Sequence, residues 1–167
     1  MSWFNHIASL SNPFELLEYF ASHLFNDQIQ VICIDIILIL VLHSFYILLL
    51  ISLFKKLLSI RLLNGRFRNG FLIYLLITLL VMLAHLNDIF VLALVLDSFK
   101  VFPDSLTTFF YVSGMYTTIG SSSVPEPQWQ ILSMLISFCG LFAFSISGAG
   151  RYSMLGYFFE NGESKQK

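Results

Sequence analysis

Charged residues are scarce in this chain. Asp, Glu, Lys and Arg make up 11% of its 167 residues, whereas apolar residues make up 57%. Apolar runs at residues 29–54, 71–96 and 128–147 reach the roughly 20 residues that a helix needs to cross the hydrocarbon core of a bilayer. This composition excludes a water-soluble globular protein, and the remaining residues are too few for a separate catalytic domain. We therefore expect an all-α membrane protein that is not an enzyme.

Cysteine is also rare. The chain has 2 cysteines, Cys33 and Cys139, and both fall inside apolar runs. At such positions cysteine behaves as a small buried hydrophobe, so neither a disulfide nor a metal pair is expected. The first run lacks arginines repeated at three-residue spacing, which argues against a voltage sensor. The formal net charge of −1 gives no sign of a nucleic-acid partner, and we expect neither such a partner nor a resident cofactor.

Basic residues are distributed unevenly. Residues 1–28 contain no lysine or arginine, whereas the segment between the first two apolar runs is rich in them. The basic residues there are Lys55, Lys56, Arg61, Arg66 and Arg68. Because cytoplasmic loops carry an excess of such residues, residues 55–70 are predicted to form a basic cytoplasmic loop. The N-terminus is then outside and the C-terminus cytoplasmic, in a plasma membrane or a bacterial inner membrane.

Residues 1–28 are predicted to form an extracytoplasmic amphipathic segment. Asn12 can cap a helix, Pro13 suits the first helical position, and Glu15 stands three residues after the cap. The segment precedes an accessory transmembrane helix at residues 29–54. We expect it to pack on membrane lipid, and the alternative is a functional cap over the outer end of the bundle.

A segment too short to cross a membrane lies between the second and third apolar runs. Pro103 and Asp104 signal a helix start, and Ser105 to Tyr116 makes about three turns, enough to enter half of a bilayer. The sequence Thr117-Thr118-Ile119-Gly120-Ser121-Ser122-Ser123 follows directly. Non-helical backbone at membrane depth survives only when buried in protein or lining a water-filled cavity. The pattern predicts a re-entrant helix whose negative dipole end favours a cation near the membrane centre.

This order of features resembles the pore domain of the tetrameric potassium-channel superfamily, the two-span ion-channel family. The family signature reads Thr-Thr-(Val/Ile)-Gly-(Tyr/Phe)-Gly-Asp, and Thr117, Thr118, Ile119 and Gly120 match it. The resemblance covers residues 71–150. It implies a homotetramer around a central pore, in which each chain adds a re-entrant pore helix and a selectivity-filter loop to the three transmembrane helices expected from its apolar runs. It further implies a channel that conducts potassium. The departures described next extend the expected permeant ions to sodium, and the orientation inferred above makes residues 151–167 a short cytoplasmic tail.

The chain departs from the family at three serines. Ser121 replaces the aromatic residue, Ser122 the second glycine and Ser123 the acid. A strand that aims consecutive carbonyls at one axis alternates in handedness, and a serine at a left-handed position costs about 1 kcal/mol. We therefore expect an outer filter that is degenerate and only weakly selective. Gly114 behind the filter suggests the same looseness, and a ring of Glu126 at the pore mouth would attract cations.

Small residues recur in the third apolar run. Ser137, Gly140 and Phe144 fall on one helical face. One interpretation is close helix packing. The other is that this face lines an inner cavity, with Gly140 as a bend and Phe144 as a hydrophobic constriction that serves as the gate.

Polar residues occur inside the first two runs, where they are energetically expensive. They are Asp35, His43, His85, Asn87 and Asp88. Counting residues along the runs places Asp35 near the depth of Asp88 and within reach of His85. The favoured interpretation is hydrogen bonding between the two helices. The alternative is a carrier for metal ions or protons that uses Asp35, His85 and Asp88, and a third hypothesis is a non-conducting structural or regulatory subunit. The sequence identifies neither the stimulus nor an accessory subunit.

Overall fold

The fold is all-helical over the residues that the computed structural model describes, which are 12–24, 26–63 and 68–163. Its helices are α1 (Pro13–Leu24), α2 (Asp27–Leu63), α3 (Arg68–Ser98), α4 (Ser105–Tyr116) and α5 (Ile131–Glu163), with a 3₁₀ turn at Pro127–Trp129. Three stretches are long and apolar enough to cross a membrane: Asp27–Ile60, Gly70–Ser98 and Pro127–Glu160. The expected all-α architecture with three candidate transmembrane helices is confirmed.

The long helices extend beyond the apolar runs. Much of the predicted loop at residues 55–70 is helical, because α2 continues to Leu63 and α3 starts at Arg68. Lysine, leucine and arginine are good helix formers, and the first helix-breaking signal after the apolar run is Asn64-Gly65. The predicted tail at 151–167 is likewise helical as far as Glu163. Basic side chains therefore mark the end of a span without marking the end of its helix.

Two asparagines start the N-terminal helices. The backbone N–H of Phe14 donates to Asn12 Oδ1 at 3.1 Å, which confirms the predicted start of α1. The backbone N–H of Gln28 donates to Asn26 Oδ1 at 2.9 Å, a second cap that begins α2. Since α1 ends at Leu24 and α2 begins at Asp27, the connection between the two helices is short.

The bundle has two separate apolar cores. α2 packs against both α3 and α5, and α4 packs between α3 and α5 at one end of the bundle. One core lies at the α4 end and includes Ile36, Leu92, Tyr111 and Leu132. The other lies at the far end and includes Ile47, Phe54, Leu58, Ile77 and Met154. Between the two cores are buried polar side chains, His43, His85, Asp88 and Ser147, which together with Tyr116 we call the polar layer.

Candidate functional site

The start of α4 is fixed by Asp104. Its carboxylate accepts the backbone N–H of Thr107 at 2.8 Å and the Thr107 hydroxyl at 3.0 Å. These two donors stabilise the charged form and lower the pKa of Asp104 below its ordinary value. The helix predicted over Ser105–Tyr116 is confirmed with those bounds.

The C-terminus of α4 lies beside the middle of α5. The Ser137 hydroxyl donates to the carbonyl of Met115 at 3.0 Å. A Cβ placed on Gly140 would overlap the carbonyl oxygen of Tyr116 and lie 2.7 Å from its carbonyl carbon. Gly140 is about 14 Å along α5 from its first residue, at 1.5 Å per residue. The short helix therefore ends beside a residue that lies about 14 Å along α5, a length close to the roughly 15 Å half-thickness of a bilayer's hydrocarbon core.

Ser137, Gly140 and Phe144 all contact the chain's own helices. Ser137 and Gly140 meet the last residues of α4, while the ring of Phe144 stacks on His85 with centroids 4.3 Å apart. Of the two interpretations made from the sequence, close helix packing is the one that these contacts show for Gly140. The absence of a side chain at Gly140 is explained by the approach of the Tyr116 carbonyl and requires no bend in α5.

The chain reverses direction directly after α4. The Thr117 hydroxyl donates to the Ser113 carbonyl at 2.7 Å, and the Gly120 N–H donates to the Gly114 carbonyl at 3.0 Å. A Cβ on Gly114 would lie 3.0 Å from the carbonyl carbon of Gly120 and overlap its oxygen. The lack of a side chain at Gly114 therefore admits close backbone packing against Gly120, while the looseness of the filter stays a prediction.

Backbone handedness alternates at the start of this loop. Thr118 has φ 60° and Gly120 has φ 92°, whereas Ile119 between them is not left-handed. A β-branched residue such as Thr118 rarely adopts this conformation, which costs about 1–2 kcal/mol. Ser122 is not left-handed, so the expectation of a strained backbone at this residue is wrong. The Gly120 to Gly114 hydrogen bond sets the chain reversal at residues 118–120, where both left-handed residues of the loop lie.

The loop is exposed on the surface of the chain. Ile119 is 85% exposed and Val124 is 74% exposed. Thr118, Gly120 and Ser122 are exposed as well, while Thr117, Ser121 and Ser123 are half-buried. The seven residues predicted to form the filter thus belong to one loop with a largely uncovered outer face.

Glu126 lies at the exposed end of the loop, immediately before the 3₁₀ turn. Its Oε2 atom accepts a hydrogen bond from Gln128 Nε2 at 2.6 Å.

The polar layer joins four helices through hydrogen bonds. His43 Nδ1 on α2 is 2.6 Å from Asp88 Oδ2 on α3, and the Tyr116 hydroxyl at the end of α4 donates to the same oxygen at 2.9 Å. His85 Nδ1 lies 3.0 Å from the Tyr116 oxygen. Because the single phenolic proton of Tyr116 is donated to Asp88, His85 Nδ1 is the donor in its hydrogen bond with Tyr116. On α5, the Ser147 hydroxyl is 2.9 Å from His43 Nε2. The network therefore fixes α4 to α2 and α3.

The predicted contact between Asp35 and His85 is not formed. Asp35 Oδ2 is buried without a hydrogen-bond partner among the described residues, and His43 takes the place expected for Asp35. The prediction aligned the two apolar runs by their ends, whereas the His43–Asp88 contact sets the real register. His43 lies about 12 Å along α2 from Asp35. His85 and Asp88 were thus identified from the sequence, and His43 was noted only as another polar residue.

Sequence reasoning missed Tyr116 and Ser147 in this layer. Tyrosine at a helix end resembles an ordinary core aromatic residue, and serine in an apolar helix resembles a packing residue. The only sequence signal for these two residues was the Asp88 carboxyl group inside an apolar run, since such a group requires hydrogen-bond donors from neighbouring helices.

No family model, no curated protein and no solved structure matches this chain.

Proposed function

We propose that this chain is one subunit of a homotetrameric membrane channel for monovalent cations. The observation that supports it most is the exposed loop after α4, which begins beside Gly140 in the middle of α5. Lipid cannot satisfy the N–H and C=O groups of a non-helical segment at that depth. A central water-filled pore shared with other copies would satisfy them. One loop cannot enclose an axis, so the proposal requires several chains, and the resemblance stated above favours four.

The end of α4 supports a preference for cations. The peptide dipoles place the equivalent of about half a negative charge at the helix C-terminus. The loop that follows, residues 117–125, carries no charged side chain. Its polar groups are backbone carbonyls and hydroxyls, which are the groups that replace the hydration shell of a monovalent cation. Glu126 adds a negative side chain at the loop's exposed end.

The backbone handedness of the loop after α4 supports weak discrimination between potassium and sodium. Alternation of left- and right-handed residues aims successive carbonyls to one side, and it extends only from Thr118 to Gly120. Fewer dehydrating sites than in the family signature therefore face the proposed pore. The three serines that follow provide hydroxyl groups in place of a longer row of carbonyls.

Basic residues at the far end of the bundle support the proposed orientation. Lys55 and Lys56 are in the part of α2 remote from α4, and the ammonium group of Lys55 lies 5.4 Å from the ring centre of Tyr157 on α5. Under the positive-inside rule this end is cytoplasmic, in a plasma membrane or bacterial inner membrane, and the α4 end is outside.

The function is tested by recording from the purified full chain in a planar bilayer under a KCl/NaCl gradient. We expect cation currents with a reversal potential between the potassium and sodium equilibrium values. Thr118→Ala should shift this potential, because it removes the hydroxyl from the proposed pore. The matched change Thr118→Ser keeps the hydroxyl and should preserve the wild-type value. Absence of conductance under every gradient and voltage would favour a non-conducting subunit, and cross-linking that stops at dimers or trimers would reject the tetramer.

The serines are tested by restoring the family signature. The triple variant Ser121→Tyr, Ser122→Gly, Ser123→Asp should move the reversal potential toward the potassium equilibrium value, because it adds the residues that continue the alternation. Ser123→Asp alone is the control, since it adds the acid without the backbone change. A wild-type reversal potential already at the potassium value would contradict weak selectivity.

A further inference from the structure

The polar layer contains potential metal ligands from two helices. His43 on α2, together with His85 and Asp88 on α3, presents ligand atoms that all lie within 4.8 Å of one another. The side chain of His43 is 0% exposed and that of Asp88 is 8% exposed. Ligand atoms about 2.1 Å from a tetrahedral ion are separated by roughly 3.4 Å. Shifts on the order of 1 Å would therefore bring these three groups to coordination distance.

We propose that His43, His85 and Asp88 bind one divalent transition-metal ion of the zinc class. Two imidazoles and one carboxylate suit zinc, cobalt, nickel or copper, whereas magnesium and calcium prefer sites made only of oxygen ligands. The proposal does not rest on conduction, since the site includes no residue of the loop at 117–126. It differs from the set inferred from the sequence, because His43 replaces Asp35.

Ser147 is suited to orient His43 for coordination. When Nδ1 of His43 carries the proton and donates it to Asp88, the Ser147 hydroxyl donates to Nε2. When a metal occupies Nδ1, the proton moves to Nε2 and the same hydroxyl accepts it. Metal-bound histidines usually have such a partner on the second nitrogen. The hydroxyl at position 147 can therefore hold the ring in place in both states.

Tyr116 contacts two of the three proposed ligands. Its oxygen is 2.9 Å from Asp88 Oδ2 and 3.0 Å from His85 Nδ1. The ion would therefore join α2 to α3 and contact the hydroxyl that secures the end of α4. Metal binding should restrain α4 as well as the two long helices.

A cavity borders two of the three proposed metal ligands. A cavity of about 400 Å³ lies between α2 and α3 and is lined by both His43 and Asp88. Its other lining residues are mainly apolar, and they include Tyr46 and Asn87 as polar members. His43 and Asp88 therefore border an open space between α2 and α3, and a metal site requires such an approach.

The experiment is a Co²⁺ titration of the purified full chain in detergent, followed by its ligand-field absorption and by competition with Zn²⁺. The background variant is His6→Ala/His23→Ala, which leaves His43 and His85 as the only histidines. We expect one ion per chain. Loss of an outer-shell partner weakens metal binding by roughly 10- to 100-fold, and Ser147→Ala should weaken it by about tenfold. A larger loss of affinity is expected for each ligand variant: His43→Gln, His85→Gln and Asp88→Asn.

Asp35→Asn is the matched control, since it removes a carboxylate from α2 outside the proposed site and should leave the affinity unchanged. Circular dichroism and size-exclusion chromatography verify that each variant is folded. X-ray absorption of the Zn²⁺-loaded background variant needs no ligand substitution and should show two imidazoles in the coordination shell. Absence of Co²⁺ binding, unchanged affinity in folded ligand variants, or a shell without imidazole would overturn the site. Because every readout measures binding, a non-conducting chain would leave this result standing.

Discussion

Gly140→Ala should destabilise the bundle and abolish cation flux. Helix propensity alone favours alanine by about 1 kcal/mol. The new Cβ would overlap the Tyr116 carbonyl, and both groups are held by helical backbone, so α4 and α5 must separate. Overpacking of this kind costs about 1–3 kcal/mol even where side chains can adjust. We expect a net loss of about 2 kcal/mol, measured by thermal unfolding in detergent, and displacement of the loop that follows Tyr116.

Gly148→Ala is the matched control for this change. Gly148 lies on the same helix, and a Cβ there meets no atom within 4 Å. The control should retain flux and be as stable as the wild type or slightly more so. If Gly140→Ala unfolds and conducts as the wild type does, α4 does not depend on its close approach to α5.

Asp88→Ala should be among the most destabilising single substitutions in the chain. It leaves His43 and the Tyr116 hydroxyl without their shared acceptor. Single hydrogen bonds between transmembrane helices contribute only about 0.6 kcal/mol on average. Breaking a buried pair from one side costs about 3–5 kcal/mol because the remaining groups stay buried. Without added metal, we expect a loss of about 3 kcal/mol, and Asp88→Asn should lose less because its amide oxygen still accepts.

Asp35→Asn separates the observed network from the one inferred from the sequence. If Asp35 contacted His85, as predicted from the sequence, Asp35→Asn would lower the stability of the bundle. Since Asp35 Oδ2 has no hydrogen-bond partner in the described part of the chain, we expect little change in thermal unfolding. A loss as large as that of Asp88→Ala would mean that Asp35 carries the interhelical contact after all.

Local signals in the sequence were sufficient for α4. The Asp104 cap and the pair Pro103-Asp104 determine where the helix begins, since capping involves residues within one turn. The adjacent Thr117 to Gly120 segment was likewise correctly separated from the helix. These features depend on neighbours in the chain, and such neighbours are visible in the sequence.

Features that depend on distant residues could not be predicted. The pairing of His43 with Asp88 depends on how far α2 slides along α3, and apolar runs of similar length do not specify it. The left-handed conformation of Thr118 depends on the hydrogen bond from Gly120 to Gly114 and on the space that α5 leaves beside α4. Propensity would assign this conformation to glycine and never to a β-branched residue.

The central position of the polar layer limits the motions that the bundle can make. Moving α2 past α3 by one helical turn, about 5.4 Å, would separate His43 from Asp88 and place its ring among the apolar side chains of one of the two cores. Axial slippage is therefore blocked at the midpoint. Each apolar core lies wholly on one side of that point, so splaying of the far ends of α2, α3 and α5 leaves the packing around α4 intact.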